Sequence, residues 1–77
     1  MHEATRRVLE VLPEVGSVSV PETRDRFEVK HGESIELADL RRRLLWLTRH
    51  GYALRMGPTA ASFRATGSGL RALERAD

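Results

Sequence analysis

The stretch Leu37 to Gly51, LADLRRRLLWLTRHG, decides the fold. Leu37, Leu40, Leu44 and Leu47 recur at three- and four-residue intervals, which brings their side chains to one face of a helix. Gly51 stands where such a helix stops. Among the leucines lie Arg41, Arg42 and Arg43, with Arg49 further on. The helix that anchors a core therefore also carries dense positive charge, and function turns on what that charge is for. Taking Leu40 as origin and about 100° per residue, the other leucines and Gly51 fall within about 60° of it, whereas Arg42 and Arg49 fall near about 200° and 180°. Leu45 and Trp46, at about 140° and 240°, lie outside the leucine stripe.

The chain has 77 residues, which predicts one domain over residues 1–77. A domain of this size buries only about 60% of the surface its unfolded chain exposes, so the core must be small. There is no cysteine, which excludes a disulfide framework and a thiolate metal site and suits a reducing compartment. No apolar run approaches the roughly 20 residues of a bilayer span. The N-terminal MHEATRRVLEVL lacks the apolar core of a secretory signal. The expectation is a soluble cytoplasmic protein with no membrane partner.

Charge is distributed unevenly. Residues 1–39 carry five basic and nine acidic side chains, residues 40–77 eight basic and two acidic, and no carboxylate side chain occurs between Leu40 and Leu73. Such asymmetry points to an anionic partner for the second half. Twelve of the thirteen basic residues are arginine, which fits either phosphate recognition or the codon bias of a genome rich in G and C.

Ahead of the central helix, Ala4, Val8, Val11, Leu12 and Val15 recur at helical spacing from Glu3 onward. Pro13 removes an amide donor and crowds the preceding turn, so that helix is expected to end near Leu12. Val18 and Val20 alternate with serines as a short strand. Ser19-Val20-Pro21-Glu22 has the capping-box pattern, which starts a second helix with Val20, Thr23 and Phe27 as its buried stripe. Lys30-His31-Gly32-Glu33 reads as a turn, and Ser34 as the cap of the central helix. Beyond Gly51, Tyr52 to Met56 and Ala61 to Ala65 read as two strands joined through Gly57-Pro58-Thr59. Thr66 then caps a last helix, Gly67 to Ala76, whose Leu70 and Leu73 close over the core.

This order of elements, with LRRRLLWLTRHGYALR followed by FRATGSGLRAL, resembles a winged helix-turn-helix domain. The marks are the leucine spacing into His50-Gly51-Tyr52 and the Thr66-x-x-Gly69-x-x-x-Leu73 pattern. The Phe27 to Leu40 spacing is similar to that of the PadR and MarR families. The resemblance implies an α+β fold: a three-helix core with a short strand, a β-hairpin wing and a short C-terminal helix. It also implies a small sequence-specific DNA-binding transcriptional regulator, a repressor by family, nucleoid-associated when bound. Its recognition helix, about 35–50, would enter the major groove, and its wing, about 52–65, would lie on the backbone of double-stranded DNA.

On that reading Arg42 is placed for base readout and Arg41, Arg43 and Arg49 for phosphates, with Ser34, Ile35, Ala38 and Asp39 at the outer side of the helix start and Arg55 and Arg64 serving the wing. Glu36 and Asp39 read best as charges favouring the positive helix end. Trp46 either folds back against the hairpin or, with Leu45, anchors a protein interface. The alternative function is thus an interaction module docking on an acidic partner through Leu45, Trp46 and the arginines. Members of these families usually dimerise through extra helices; here a homodimer would have to use the terminal helices or Trp46.

Enzymatic and cofactor chemistry is not expected. His2, His31 and His50 lack metal-ligand spacing. Thr66-Gly67-Ser68-Gly69 lacks the lysine and length of a phosphate-binding P-loop. No serine has an adjacent general base in the sequence.

Overall fold

The computed structural model describes residues 1–57 and 61–75. Helix α1 covers Glu3–Glu10, strand β1 Val18–Ser19, helix α2 Val20–His31, helix α3 Leu37–Arg49, strands β2 and β3 Ala53–Met56 and Ser62–Ala65, and helix α4 Gly67–Glu74. This is the α+β order expected. Three helices pack together, and a three-stranded antiparallel sheet of order β1-β3-β2 closes one side.

Helix α1 starts at His2, whose Nδ1 accepts the Ala4 amide at 3.1 Å. It ends two residues before Leu12: the Val11 and Leu12 amides turn back to the Val8 and Leu9 carbonyls, both at 3.1 Å. The chain leaves the helical path there, so helical spacing no longer orients the residues beyond Leu12. Val15, expected on the buried face, is 87% exposed. Val11 and Leu12 still bury, in the turn, and the buried face of α1 is Thr5, Val8 and Leu9, with Ala4 half-buried at its edge.

The capping box of α2 forms as the sequence predicts. The Ser19 hydroxyl accepts the Glu22 amide at 3.2 Å and the Glu22 carboxylate accepts the Ser19 amide at 3.0 Å. The Ser19 amide that donates to it, with a smaller contribution from the nearby Ser19 hydroxyl, holds the Glu22 carboxyl below its ordinary pKa. Val20, Thr23 and Phe27 are its buried residues, and the Thr23 hydroxyl donates to the Ser19 carbonyl at 2.7 Å. Lys30 and His31, expected in a turn, belong to the helix. The extra turn is held because the His31 ring packs on Phe27, centroids 4.8 Å apart, and its Nε2 donates to the Arg7 carbonyl at 3.1 Å. Gly32, left-handed at φ 67°, ends the helix.

Ser34 does not cap α3. The N-cap position is Glu36, with no side-chain bond to the helix, and the first helical residue is Leu37 rather than Ile35. Ile35 packs against the core margin instead of facing outward, which keeps residues 33–36 out of helical conformation. From Leu37 the stripe behaves as its spacing requires. Leu40, Leu44 and Leu47 are fully buried, and Leu37 packs against the core from its edge. Gly51 at φ 76° takes a conformation costly to other residues, and the Tyr52 amide returns to the Leu47 carbonyl at 2.9 Å.

In the hairpin, Ala53, Leu54, Arg55 and Met56 stand opposite Ala65, Arg64, Phe63 and Ser62. Of the expected turn Gly57-Pro58-Thr59, Pro58 and Thr59 lie outside the described residues. Val18 of β1 faces Phe63 from the other side, so Phe63 sits mid-sheet on the buried face. Thr66 caps α4 as expected, accepting the Gly69 amide at 3.0 Å, and its hydroxyl donates to the Gly51 carbonyl at 2.6 Å. The fully buried face of α4 is Gly69 and Ala72, whereas Leu70 and Leu73 pack half-buried at its margin. The helix ends at Glu74; Ala76, in the expected span, lies outside the described residues.

The Thr66-x-x-Gly69 pattern thus has a steric meaning. A Cβ on Gly69 would stand 2.2 Å from the Tyr52 carbonyl oxygen and 3.2 Å from the Leu9 side chain. Gly69→Ala is expected to destabilise the domain by about 1–3 kcal/mol, the range for overpacking. Loss of the N-cap in Ser19→Ala should cost about 1 kcal/mol. Urea unfolding followed by circular dichroism checks both, with a lowered midpoint at unchanged slope as the expected form.

Candidate nucleic-acid interface

Burying one face of α3 fixes what its other faces present. Arg41, Arg42, Leu45, Trp46 and Arg49 are all exposed, as the helical wheel requires. The exposed surface has two flanks. On one, Arg41 and Leu45 line a cleft of about 350 Å³ with Val20 of α2, Arg55 of β2, Ala61 and Phe63. On the other, Arg42, Arg43 and Trp46 line a smaller recess of about 210 Å³ with Asp39 and Thr5 of α1. The two apolar residues of α3 therefore do not share a patch: Leu45 faces the sheet and Trp46 faces α1.

Trp46 does not fold onto the hairpin, one of the two positions its sequence context suggests. Its ring stacks on His50, centroids 3.8 Å apart at 19°, with Tyr52 tilted 6.1 Å away at the base of β2. Trp46 and His50 have the i,i+4 spacing that brings side chains together on a helix. The His50 Nδ1 donates to the Trp46 carbonyl at 2.9 Å, which fixes the ring against the indole. Trp46 remains 36% exposed.

Asp39 organises the α1 flank. One carboxylate oxygen accepts from Arg42 Nη2 at 2.8 Å and the other from Arg43 Nε at 3.0 Å. Arg43 also donates to the Thr5 hydroxyl at 2.9 Å, tying α3 to α1. Its side chain is only 21% exposed, against 78% for Arg42. Arg43 therefore has a structural tie that Arg42 lacks, and Arg42 keeps most of its guanidinium open while anchored at one nitrogen. The Thr5 contact crosses 38 residues, and no sequence pattern announces it. The Arg43 and Arg42 guanidiniums hold the Asp39 carboxyl below its usual pKa, against a smaller opposing effect of burial.

The remaining expected site residues divide by geometry. Arg41, Arg49 and Arg55 have no side-chain hydrogen bond or ion pair among the described residues, and all three are exposed. Arg55 stands opposite Phe63 and shares its face of the sheet, toward α3; Arg64 stands opposite Leu54 on the other face. The two hairpin arginines, both expected to serve the wing, thus point to opposite sides. Ala38 is exposed in the first turn of α3, and Ser34 is exposed in the segment ahead of it. Among the described residues no cluster of His, Asp and Glu could hold a metal, and no helix is long and apolar enough to cross a membrane.

The chain matches no protein-family model and no curated protein. Its fold does match solved structures. The hsRosR complex superposes with a TM-score of 0.81 at 17% identity, covering 96% of this chain and 65% of that one. PadR of Bacillus subtilis in complex with operator DNA gives 0.76 at 20% identity, covering 100% and 50%. The ferric uptake regulator of Vibrio cholerae gives 0.69 at 26% identity, covering 84% and 52%. The chain spans between half and two thirds of the length of these proteins. These likenesses establish the winged-helix fold.

A group whose folded pKa is depressed adds stability above its unfolded pKa and loses it as pH falls through the folded value. Asp39→Asn should therefore be less stable than the parent above about pH 5, and the gap should close toward strong acid. Because the pair is partly solvated, the gap should be no more than about 1 kcal/mol. Thermal unfolding of both proteins from neutral to acid pH checks this.

Proposed function

We propose that this winged-helix domain binds double-stranded DNA sequence-specifically as a transcriptional regulator, with α3 in the major groove and the β2–β3 wing along the backbone. One observation carries the reading: Arg41, Arg49 and Arg55 are exposed without acidic partners among the described residues, on a surface whose sequence has no carboxylate from Leu40 to Leu73. A solvated protein surface normally intersperses both signs, and a single-sign field suits a polyanion. The operator complex of the PadR neighbour lends support to the same reading.

Each residue's role comes from its geometry. Arg42, anchored at one nitrogen by Asp39, presents the rest of its fork for a bidentate contact to guanine. Arg41, Arg49 and Arg55 serve phosphates, with Ala38 at the groove-facing start of α3. Arg43 supports from behind through Thr5 and Asp39. Ser34 and Arg64 stand at the periphery, before α3 and on the far sheet face. The second reading, an interaction module for an acidic protein, is favoured by the exposed Trp46 stack beside α1. On that reading Trp46→Ala removes partner capture and leaves the fold intact. A homodimer formed through the terminal helices or Trp46 would select a palindromic site from a random duplex library, and a monomer a single half-site.

Fluorescence anisotropy with labelled duplex tests the proposal. With these three phosphate contacts, log affinity should fall with log salt at a slope of roughly −2.7, about −0.9 per contact. Arg42→Ala should lose about 1–3 kcal/mol of discrimination at one base pair, whereas Arg55→Ala should weaken all sequences alike and reduce the slope by about 1. No duplex binding at low salt refutes the proposal.

A further inference from the structure

Leu45 is 48% exposed on the surface proposed to meet DNA. It lies one helical turn after Arg41 and one before Arg49, so three side chains form a row along α3: cation, hydrocarbon, cation. Across the cleft stands Arg55, and the cleft floor is Phe63, Val20 and Ala61. Leu45 thus stands among three arginines at the edge of a cleft with a small apolar floor. A partner that joins negative charge to an exposed apolar group complements this surface.

The major groove of B-DNA offers that combination. Its rims are phosphates, and the C5-methyl of thymine is the apolar group that its base edges present. The minor groove presents no such group, and the deep, narrow major groove of an RNA duplex does not admit side chains. We infer that Leu45 is a specificity-determining residue that reads a thymine C5-methyl group while Arg41 and Arg49 hold the flanking phosphates. The inference rests on the DNA-binding reading and adds a base preference to it. Trp46, on the opposite flank, takes no part.

The test uses the full chain and the duplex it selects from a random library. Each thymine is replaced in turn by deoxyuridine, which removes only the methyl. Replacement at one position per half-site should weaken wild-type binding about four-fold, equivalent to about 0.8 kcal/mol for one buried methyl group. Leu45→Ala, at an exposed position and to a residue well suited to helix, should stay folded by circular dichroism and bind the thymine and deoxyuridine duplexes equally. A selected site without thymine, indifference of the wild type at every thymine, or an unchanged thymine preference in Leu45→Ala each overturns the inference while leaving DNA binding intact. Failure to bind any duplex at low salt overturns the DNA-binding reading and this inference with it.

Discussion

Burial of Leu40, Leu44 and Leu47 is the interaction on which the rest of the structure depends. All three are fully inaccessible, and α3 packs through them against α1, α2 and β2. Removing one such leucine to alanine costs about 2–5 kcal/mol, and a domain of this length has a total stability of order 5–10 kcal/mol. The stripe therefore sets the rotation of α3 firmly. Once it is set, Arg41 and Leu45 must face the cleft beside the sheet, Asp39, Arg42 and Trp46 must face α1, and Arg49 stands exposed at the end of the helix. The functional surface is a consequence of where the core lies.

The arginines do two kinds of work, and the fold separates them. Arg6 donates to the Ala72 carbonyl at 3.4 Å and to that of Leu73, satisfying open acceptors at the end of α4. Arg26 donates to the Val11 carbonyl at 2.6 Å where α1 ends. Arg7 pairs with Glu3 and Glu33, and Arg43 joins Thr5 to Asp39. These four brace helix ends and helix pairs. The acidic first half of the chain supplies the partners for Arg7 and Arg43, so part of its negative charge is taken up by internal contacts. Arg41, Arg49 and Arg55 have no such engagement among the described residues, which is why their charge faces outward.

Local signals in the sequence were legible because their physics is local. The leucine spacing, the Ser19-Glu22 box and the Thr66 cap all depend on residues within a few positions of one another, and the hairpin pairs two strands consecutive in the chain. Most failures came where distant contacts decide. His31 stays helical because it meets the Arg7 carbonyl as well as Phe27, and Ile35 is drawn to the core and delays the start of α3; Val15 is a local failure, since α1 stops at the turn before Pro13. The exposed site was legible as a set of residue types on one helix. Its division into two flanks was not, because that depends on where α1 and the sheet pack around α3, and the opposite facing of Arg55 and Arg64 depends on strand register.

Resonance assignment of the domain, followed by titration of its selected duplex by NMR, tests the central claim most directly. The largest amide and guanidinium shift changes are expected on Ala38, Arg41, Arg42, Leu45, Arg49 and Arg55, with α4 and the exposed residues Asp25, Glu28 and Val29 of α2 unmoved. Changes centred on α2, or on Trp46 and His50 with Arg41 and Arg55 silent, would contradict it.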